Sequence, residues 1–264
     1  MKGLFAVLAF AMPVVACVGT TGSDLITFRA SAAGPADVTA PLVINARNGY
    51  QVTLTRARMH IGALYLNQSV PISGSQETSC VLPGIYLAQV TGGLDVDLLS
   101  PAPQSFPVLG EAFTGPAATG EVWLFGNTDI NAAEDTTPIL NIEGTAQRGG
   151  VSYPFRGTFT IGKNRNSGST DPSRPGANPI CKQRIVSPVS ANLLVEEGGS
   201  LVVRIDPRRW FDATDFSLLQ QVQTSPPLYS FDDQSANQAS QNLYSAFRSR
   251  VGVYSFSWIK ESSP

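Results

Sequence analysis

His60 is the only histidine in the chain, so a Ser-His-Asp or Cys-His nucleophilic machine would have to be built around it. It stands between Met59 and Ile61 in a β-type run, and no Gly-x-Ser-x-Gly nucleophile elbow occurs anywhere in the sequence. These neighbours favour a surface or hydrogen-bonded structural histidine. Met59 and His60 together offer a thioether and an imidazole, which are ligands that suit copper. Adjacent strand residues point to opposite faces, which keeps the pair from closing on one ion. A denser constellation is Asp206, Arg208, Trp210 and Asp212, followed by Asp215, in IDPRRWFDATDF. Carboxylates beside a guanidinium and an indole can form a ligand surface, and paired carboxylates are the groups that hydrolyse glycosides. The same residues suit a salt-bridged strand end with Trp210 buried, and that is the plainer expectation. Asp129, Asn131, Glu134 and Asp135 are oxygen-rich enough to suggest calcium. Their spacing is not that of an EF-hand and the loop glycine is missing, so a solvated loop is expected, as it is for Asp232-Asp233.

The N-terminus carries an address. Met1-Lys2 is followed by the apolar, uncharged run Gly3–Val15. A basic start and a short apolar stretch form a secretory signal. The run is shorter than the roughly 20 residues a spanning helix needs. Val14-Val15-Ala16-Cys17 closes it and resembles the lipobox of bacterial lipoproteins. That resemblance implies cleavage before Cys17 and a lipid on its thiol. Ordinary cleavage after Ala16, leaving a free thiol, is the alternative. Val18 stands where an inner-membrane retention signal would place Asp, so an outer-membrane lipoprotein facing the periplasm or the cell surface is expected. Residues 1–16 are then the signal peptide, 17–24 a lipidated tether and 25–264 a β-rich domain.

The remaining cysteines follow from this. With Cys17 lipidated, Cys80 and Cys181 are left as a pair, and an oxidising compartment would join them. Closing a loop of that length is worth up to ~4.7 kcal/mol in the chain-entropy description. Two free thiols are the alternative. The chain has 14% charged residues and a net charge of -2, which leaves no basic footprint for nucleic acid and no polybasic membrane patch.

The elements that must position these residues are short β-type runs between Gly- and Pro-rich turns. Leu25–Phe28 and Val38–Ile44 come first, then a turn at Asn48-Gly49. Tyr50–Leu66 reads as the longest strand, but its parity is inconsistent. Val52 and Leu54 share one face with Arg56, Arg58 and His60, while Ala57, Met59, Ile61 and Ala63 take the other. A bulge near Thr55-Arg56 would repair the pattern. Further strands are expected at Ile85–Val90, Leu94–Leu99, Glu121–Phe125, Ile139–Ala146 and Val151–Ile161, the last two joined by a hairpin at Arg148-Gly149-Gly150. Lys163–Pro179 reads as a long polar loop. Leu193–Glu196 and Leu201–Ile205 flank Glu197-Gly198-Gly199, a second hairpin signal. Asp215 is placed to cap a short helix. Ser235–Arg250 carries an apolar stripe at helical spacing, and Val251–Ile259 closes the chain with Tyr254, Phe256 and Trp258 on one face. The whole reads as a mainly β, single-domain antiparallel sandwich with a C-terminal helix followed by a closing strand.

The layout of LITFRA, then GYQVTLTRA leading to IGALYL, then VDLL, IDPRRWF and the late helix, looks like that of uncharacterised bacterial secreted lipoproteins. More distantly it resembles the periplasmic copper-binding proteins associated with methanobactin operons. The closer likeness implies a lipid-anchored protein of the cell envelope, and with no catalytic motif in the chain a non-enzymatic binding or structural module is the first expectation, its protein or glycan partner not named by the sequence. The more distant one implies copper. An extracytoplasmic glycan hydrolase is the third expectation.

Overall fold

The structure, a computed structural model, describes residues 23–70, 84–126, 135–162, 183–232 and 237–260. Cys17, Cys80, Cys181, the loop 163–179 and three members of the oxygen-rich cluster (Asp129, Asn131 and Glu134) lie outside the described residues, as does Asp233.

In chain order the strands are β1 (Leu25–Ala33), β2 (Leu42–Asn45), β3 (Gln51–Ile61), β4 (Ala63–Asn67), β5 (Tyr86–Val90), β6 (Leu94–Asp97), β7 (Gln104–Ser105) and β8 (Gly110–Phe113). They continue as β9 (Gly115–Trp123), β10 (Asp135–Arg148), β11 (Val151–Gly162), β12 (Ile185–Val195), β13 (Gly199–Ile205), β14 (Gln220–Thr224), β15 (Pro227–Asp232) and β16 (Tyr254–Lys260). The helix α1 (Gln238–Phe247) lies between the last two strands. The larger sheet runs β12-β9-β4-β5-β8-β1-β13-β16, with β7 against β1, and the smaller runs β14-β15-β11-β10-β3-β2, with β6 against β3. One continuous apolar core joins residues of both sheets and α1. The fold is thus the mainly β, sandwich-like arrangement expected, with the helix and closing strand at the C-terminal end.

Most ladders are antiparallel, but β1–β13 and β11–β15 are parallel. The Glu197-Gly198-Gly199 signal does reverse the chain, with Gly198 at φ +71, yet it makes no hairpin. β12 pairs with β9, whereas β13 pairs with β1 and β16. A turn sequence fixes local direction, not the partner strand. Here the long-range partners are chosen by packing, including Trp258 lying over the bare face of Gly199.

The expected long strand Tyr50–Leu66 is two strands in two sheets. The break is at Gly62, whose N–H donates to the Trp123 carbonyl at 2.8 Å. A Cβ at Gly62 would fall 2.2 Å from the Phe125 carbonyl oxygen, so only glycine lets the chain cross between sheets this closely. The bulge expected near Thr55-Arg56 is present: Glu143 pairs Arg56 and Gly144 pairs Leu54, which leaves Thr55 unmatched. Val52 and Leu54 are buried before it, Ala57, Met59 and Ile61 after it. Gly144 makes the bulge possible, because a Cβ there would sit 2.3 Å from the Thr53 carbonyl oxygen.

The late helix is shorter than its apolar stripe suggested. Asn237 caps it by accepting from the N–H groups of Ala239 and Ser240, and Ala239, Leu243 and Phe247 face the core. Asp215 caps a single 3-10 turn over Phe216–Leu218, as its position in the sequence indicated. Tyr254, Phe256 and Trp258 turn inward along β16.

Candidate functional site

The bulge decides which side chains the smaller sheet shows to solvent. Beyond Thr55, Arg56, Arg58 and His60 leave the core face, and the registers of the neighbouring strands carry them into ordered rows. One row reads Asp97, Arg58, Asn141, Thr158 and Asp232 across β6, β3, β10, β11 and β15. The next reads Arg56, Glu143, Arg156 and Ser230 across β3, β10, β11 and β15. His60 stands opposite Asp95 at the end of β3. Neighbouring strands are about 4.8 Å apart, so donors and acceptors alternate at nearly the spacing of a sheet ladder.

Some of these groups satisfy one another. Arg56 Nη1 lies 3.0 Å from Glu143 Oε1, both half-exposed. Such a pair is worth little to stability, typically about 0.2–1 kcal/mol. Thr158 Oγ1 donates to Asn141 Oδ1 at 2.9 Å. His60 Nδ1 is 2.7 Å from Asp95 Oδ1, with the imidazole largely covered and the carboxylate exposed. Arg58 and Arg156 are exposed and make no side-chain hydrogen bond or ion pair among the described residues. Two open depressions follow the rows. One of about 280 Å³ is lined by Arg56, Asn141, Glu143, Arg156 and Asp232, and one of about 370 Å³ by Arg56, Arg58, His60, Asp95 and Asn141. They share Arg56 and Asn141 and form one polar surface.

Met59 and His60 project to opposite faces, as adjacent strand residues must. Met59 is buried, with its sulfur 3.6 Å from the Tyr254 hydroxyl. Asp206, Arg208, Trp210 and Asp212 follow β13 around a 3-10 turn, and the side chains take separate partners, apart from the pair Arg208–Asp206 at 3.4 Å. Asp206 caps the 3-10 turn Pro207–Arg209 by accepting from the Arg208 N–H. Arg208 also pairs with Asp37 at 2.5 Å, and this guanidinium holds the Asp37 carboxyl below the usual carboxylate range. Asp212 accepts from the Arg47 N–H and lies 3.4 Å from its guanidinium. Trp210 is fully buried and packs edge-on against Phe247, so its indole is part of the core, not a platform for a ligand. Asp135, the described member of the oxygen-rich cluster, is buried and accepts from the N–H groups of Gly126 and Thr137. Among the described residues no three His, Cys, Asp or Glu side chains gather as a metal group would.

A second polar cluster lies under aromatic cover on the larger sheet. The buried Glu121 carboxylate accepts from Asn67 Nδ2 at 2.9 Å and Trp123 Nε1 at 2.8 Å. Tyr65 sits directly across from Glu121 and packs on Trp123 and Tyr86. Burial, and then the Glu121 charge, push both tyrosine hydroxyls above their ordinary pKa. Glu121, Asn67 and Trp123 are buried, whereas Tyr65 is half-buried and Tyr86 reaches solvent.

The sequence alone marks only part of the rows on the smaller sheet. The parity conflict flagged Arg56, Arg58 and His60. Asp95, Asp97, Asn141, Glu143, Arg156, Thr158 and Ser230 were not singled out, although each alternates with an apolar or small neighbour, as Arg156 and Thr158 do among Phe155, Gly157 and Phe159. Alternation marks a solvated face but not which strands stand side by side.

Comparison with known protein families, with curated proteins and with solved structures finds no match to this chain.

Proposed function

We propose that this protein is a lipid-anchored, non-enzymatic binding module of the bacterial cell envelope, and that the polar face of its smaller sheet takes a glycan. The anchor rests on the signal sequence and on Cys17. A disulfide between Cys80 and Cys181 belongs to the same reading. Intact-mass measurement of the protein from membranes, with and without a reductant, tests both: loss of residues 1–16, added acyl chains and a two-dalton gain on reduction are expected.

The observation that carries the binding role is the pair of rows in which Arg58 and Arg156 stand uncommitted between carboxylates, an amide and hydroxyls. A sugar hydroxyl both donates and accepts, so an alternation of guanidinium, carboxylate and amide groups can satisfy it without a net charge on the ligand. The copper and glycan-hydrolase readings draw no such support, since Met59 and His60 diverge and the Asp206–Asp212 group is spent on arginine pairs and a turn.

Titration of the mature protein with soluble peptidoglycan fragments and with lipopolysaccharide core oligosaccharide tests the proposal. A hydrogen bond to a charged group is worth about 1.5–3 kcal/mol, so Arg58→Ala with Arg156→Ala should weaken saturable binding by at least about tenfold. Absence of binding to either glycan, or binding indifferent to both substitutions, would refute it.

A further inference from the structure

We propose that the rim of the larger sheet from which the N-terminal chain departs rests on the bilayer surface that receives the Cys17 lipid. This rests on the anchored reading above. The ladders place one end of eight strands together. Leu25 opens β1 opposite Phe113 at the end of β8, and Asp24 and Thr114 exchange hydrogen bonds beside them. Leu194 lies near the end of β12 opposite Pro116 at the start of β9, and Ile259 lies near the end of β16 opposite Ser200 at the start of β13. Ile85 precedes β5, and Val70 follows β4. Leu25, Val70, Ile85, Phe113, Leu194 and Ile259 are 49–69% exposed.

Scattered exposed apolar residues are ordinary, but a set gathered at one end of a fold marks an interaction surface. The occupant follows from the chain. Six residues separate Cys17 from Asp24, and the seven steps between those two positions, fully extended, reach at most about 25 Å. The rim is therefore the part of the larger sheet held closest to the membrane, at a high effective concentration relative to it. The rim also carries Glu111, Glu196 and Glu197, with Lys260 paired to Glu196 at 3.3 Å. Excess acid there suits a zwitterionic lipid surface and disfavours an anionic one.

The test uses the full lipidated protein in zwitterionic vesicles whose acyl chains carry bromine, a short-range quencher of indole emission. Tryptophan is introduced by Leu25→Trp, by Ile259→Trp, or by Val251→Trp, an exposed position beyond the opposite end of β16. The native tryptophans, common to all three proteins, give the same background. Selective loss of emission from Leu25→Trp and Ile259→Trp is expected. Protein that floats with the vesicles but shows equal, unquenched emission in all three variants would overturn the rim contact and leave the anchor standing. Blue-shifted rim tryptophans that brominated lipid does not quench would mean that a second copy covers the rim, and would overturn it also. Protein that fails to float would remove the anchor and the rim contact together.

Discussion

Arg56 and Glu143 face each other across β3 and β10, with Nη1 3.0 Å from Oε1, and the register between the two strands slips immediately beyond them. The pair marks the edge of the bulge. On one side of it β3 buries Val52 and Leu54; on the other it buries Ala57, Met59 and Ile61. The polar face exists because Thr55 is unmatched.

Deleting Thr55 should therefore leave the core face of β3 intact, because Val52, Leu54, Ala57, Met59 and Ile61 then share one parity and pair with β10 in regular register. A loss within about 1 kcal/mol is expected in chemical denaturation. Each large aliphatic side chain turned outward would cost about 1.5–3 kcal/mol, so a loss above about 3 kcal/mol would show that Thr55 is not the residue that the bulge inserts.

Gly144→Val approaches the same feature from the partner strand. The added Cβ would meet the Thr53 carbonyl oxygen at 2.3 Å, and backbone cannot yield as a side-chain end can. Overpacking of this kind costs about 1–3 kcal/mol, measurable as a lowered thermal midpoint.

The parity of Tyr50–Leu66 made the bulge legible in the sequence, because apolar residues on both parities of one run cannot share a core without it. The crossing at Gly62 was not legible. Its cause is the Phe125 carbonyl, more than sixty residues away in sequence. The false hairpin at Glu197–Gly199 has the same origin, since turn chemistry is local and strand partnership is not. A buried Trp210 is the plainer reading of its sequence neighbours, but the residue it packs against, Phe247, lies 37 positions away and is not marked by local pattern.

Trp210→Ala distinguishes a core residue from a ligand platform. A fully buried tryptophan removed from a core costs about 3–5 kcal/mol, and that loss is expected in equilibrium unfolding. A variant with unchanged stability and lost ligand binding would reverse the assignment.

Tyr50 and Asp215 give a pH signature. The Tyr50 hydroxyl donates to Asp215 Oδ1 at 2.6 Å, the Ser217 hydroxyl donates to the same oxygen, and Arg148 lies nearby. The Tyr50 hydrogen bond first, then that of Ser217, holds the Asp215 carboxyl below its ordinary pKa. A carboxyl lowered on folding adds stability above its unfolded pKa of about 4, and this is lost as pH falls through the lowered value. Stability should thus change little from this group between neutrality and about pH 4 and decline below it. Tyr50→Phe should lose about 1 kcal/mol at pH 7 and show a shallower acid decline in denaturation measured from pH 7 to pH 2.

Arg58→Ala and Arg156→Ala should leave the thermal midpoint nearly unchanged, because an exposed side chain without a partner contributes within about 0.5 kcal/mol. A large loss of stability from either would place them in the scaffold instead of the binding face.

The most direct measurement is backbone-amide NMR of the isotopically labelled mature protein during titration with soluble peptidoglycan fragments and lipopolysaccharide core oligosaccharide. If the polar face is the site, saturable shifts should concentrate on Arg56, Arg58, Asn141, Glu143 and Arg156. Shifts confined to other surfaces, or none at concentrations that saturate known glycan binders, would contradict the assignment of this face as the binding site.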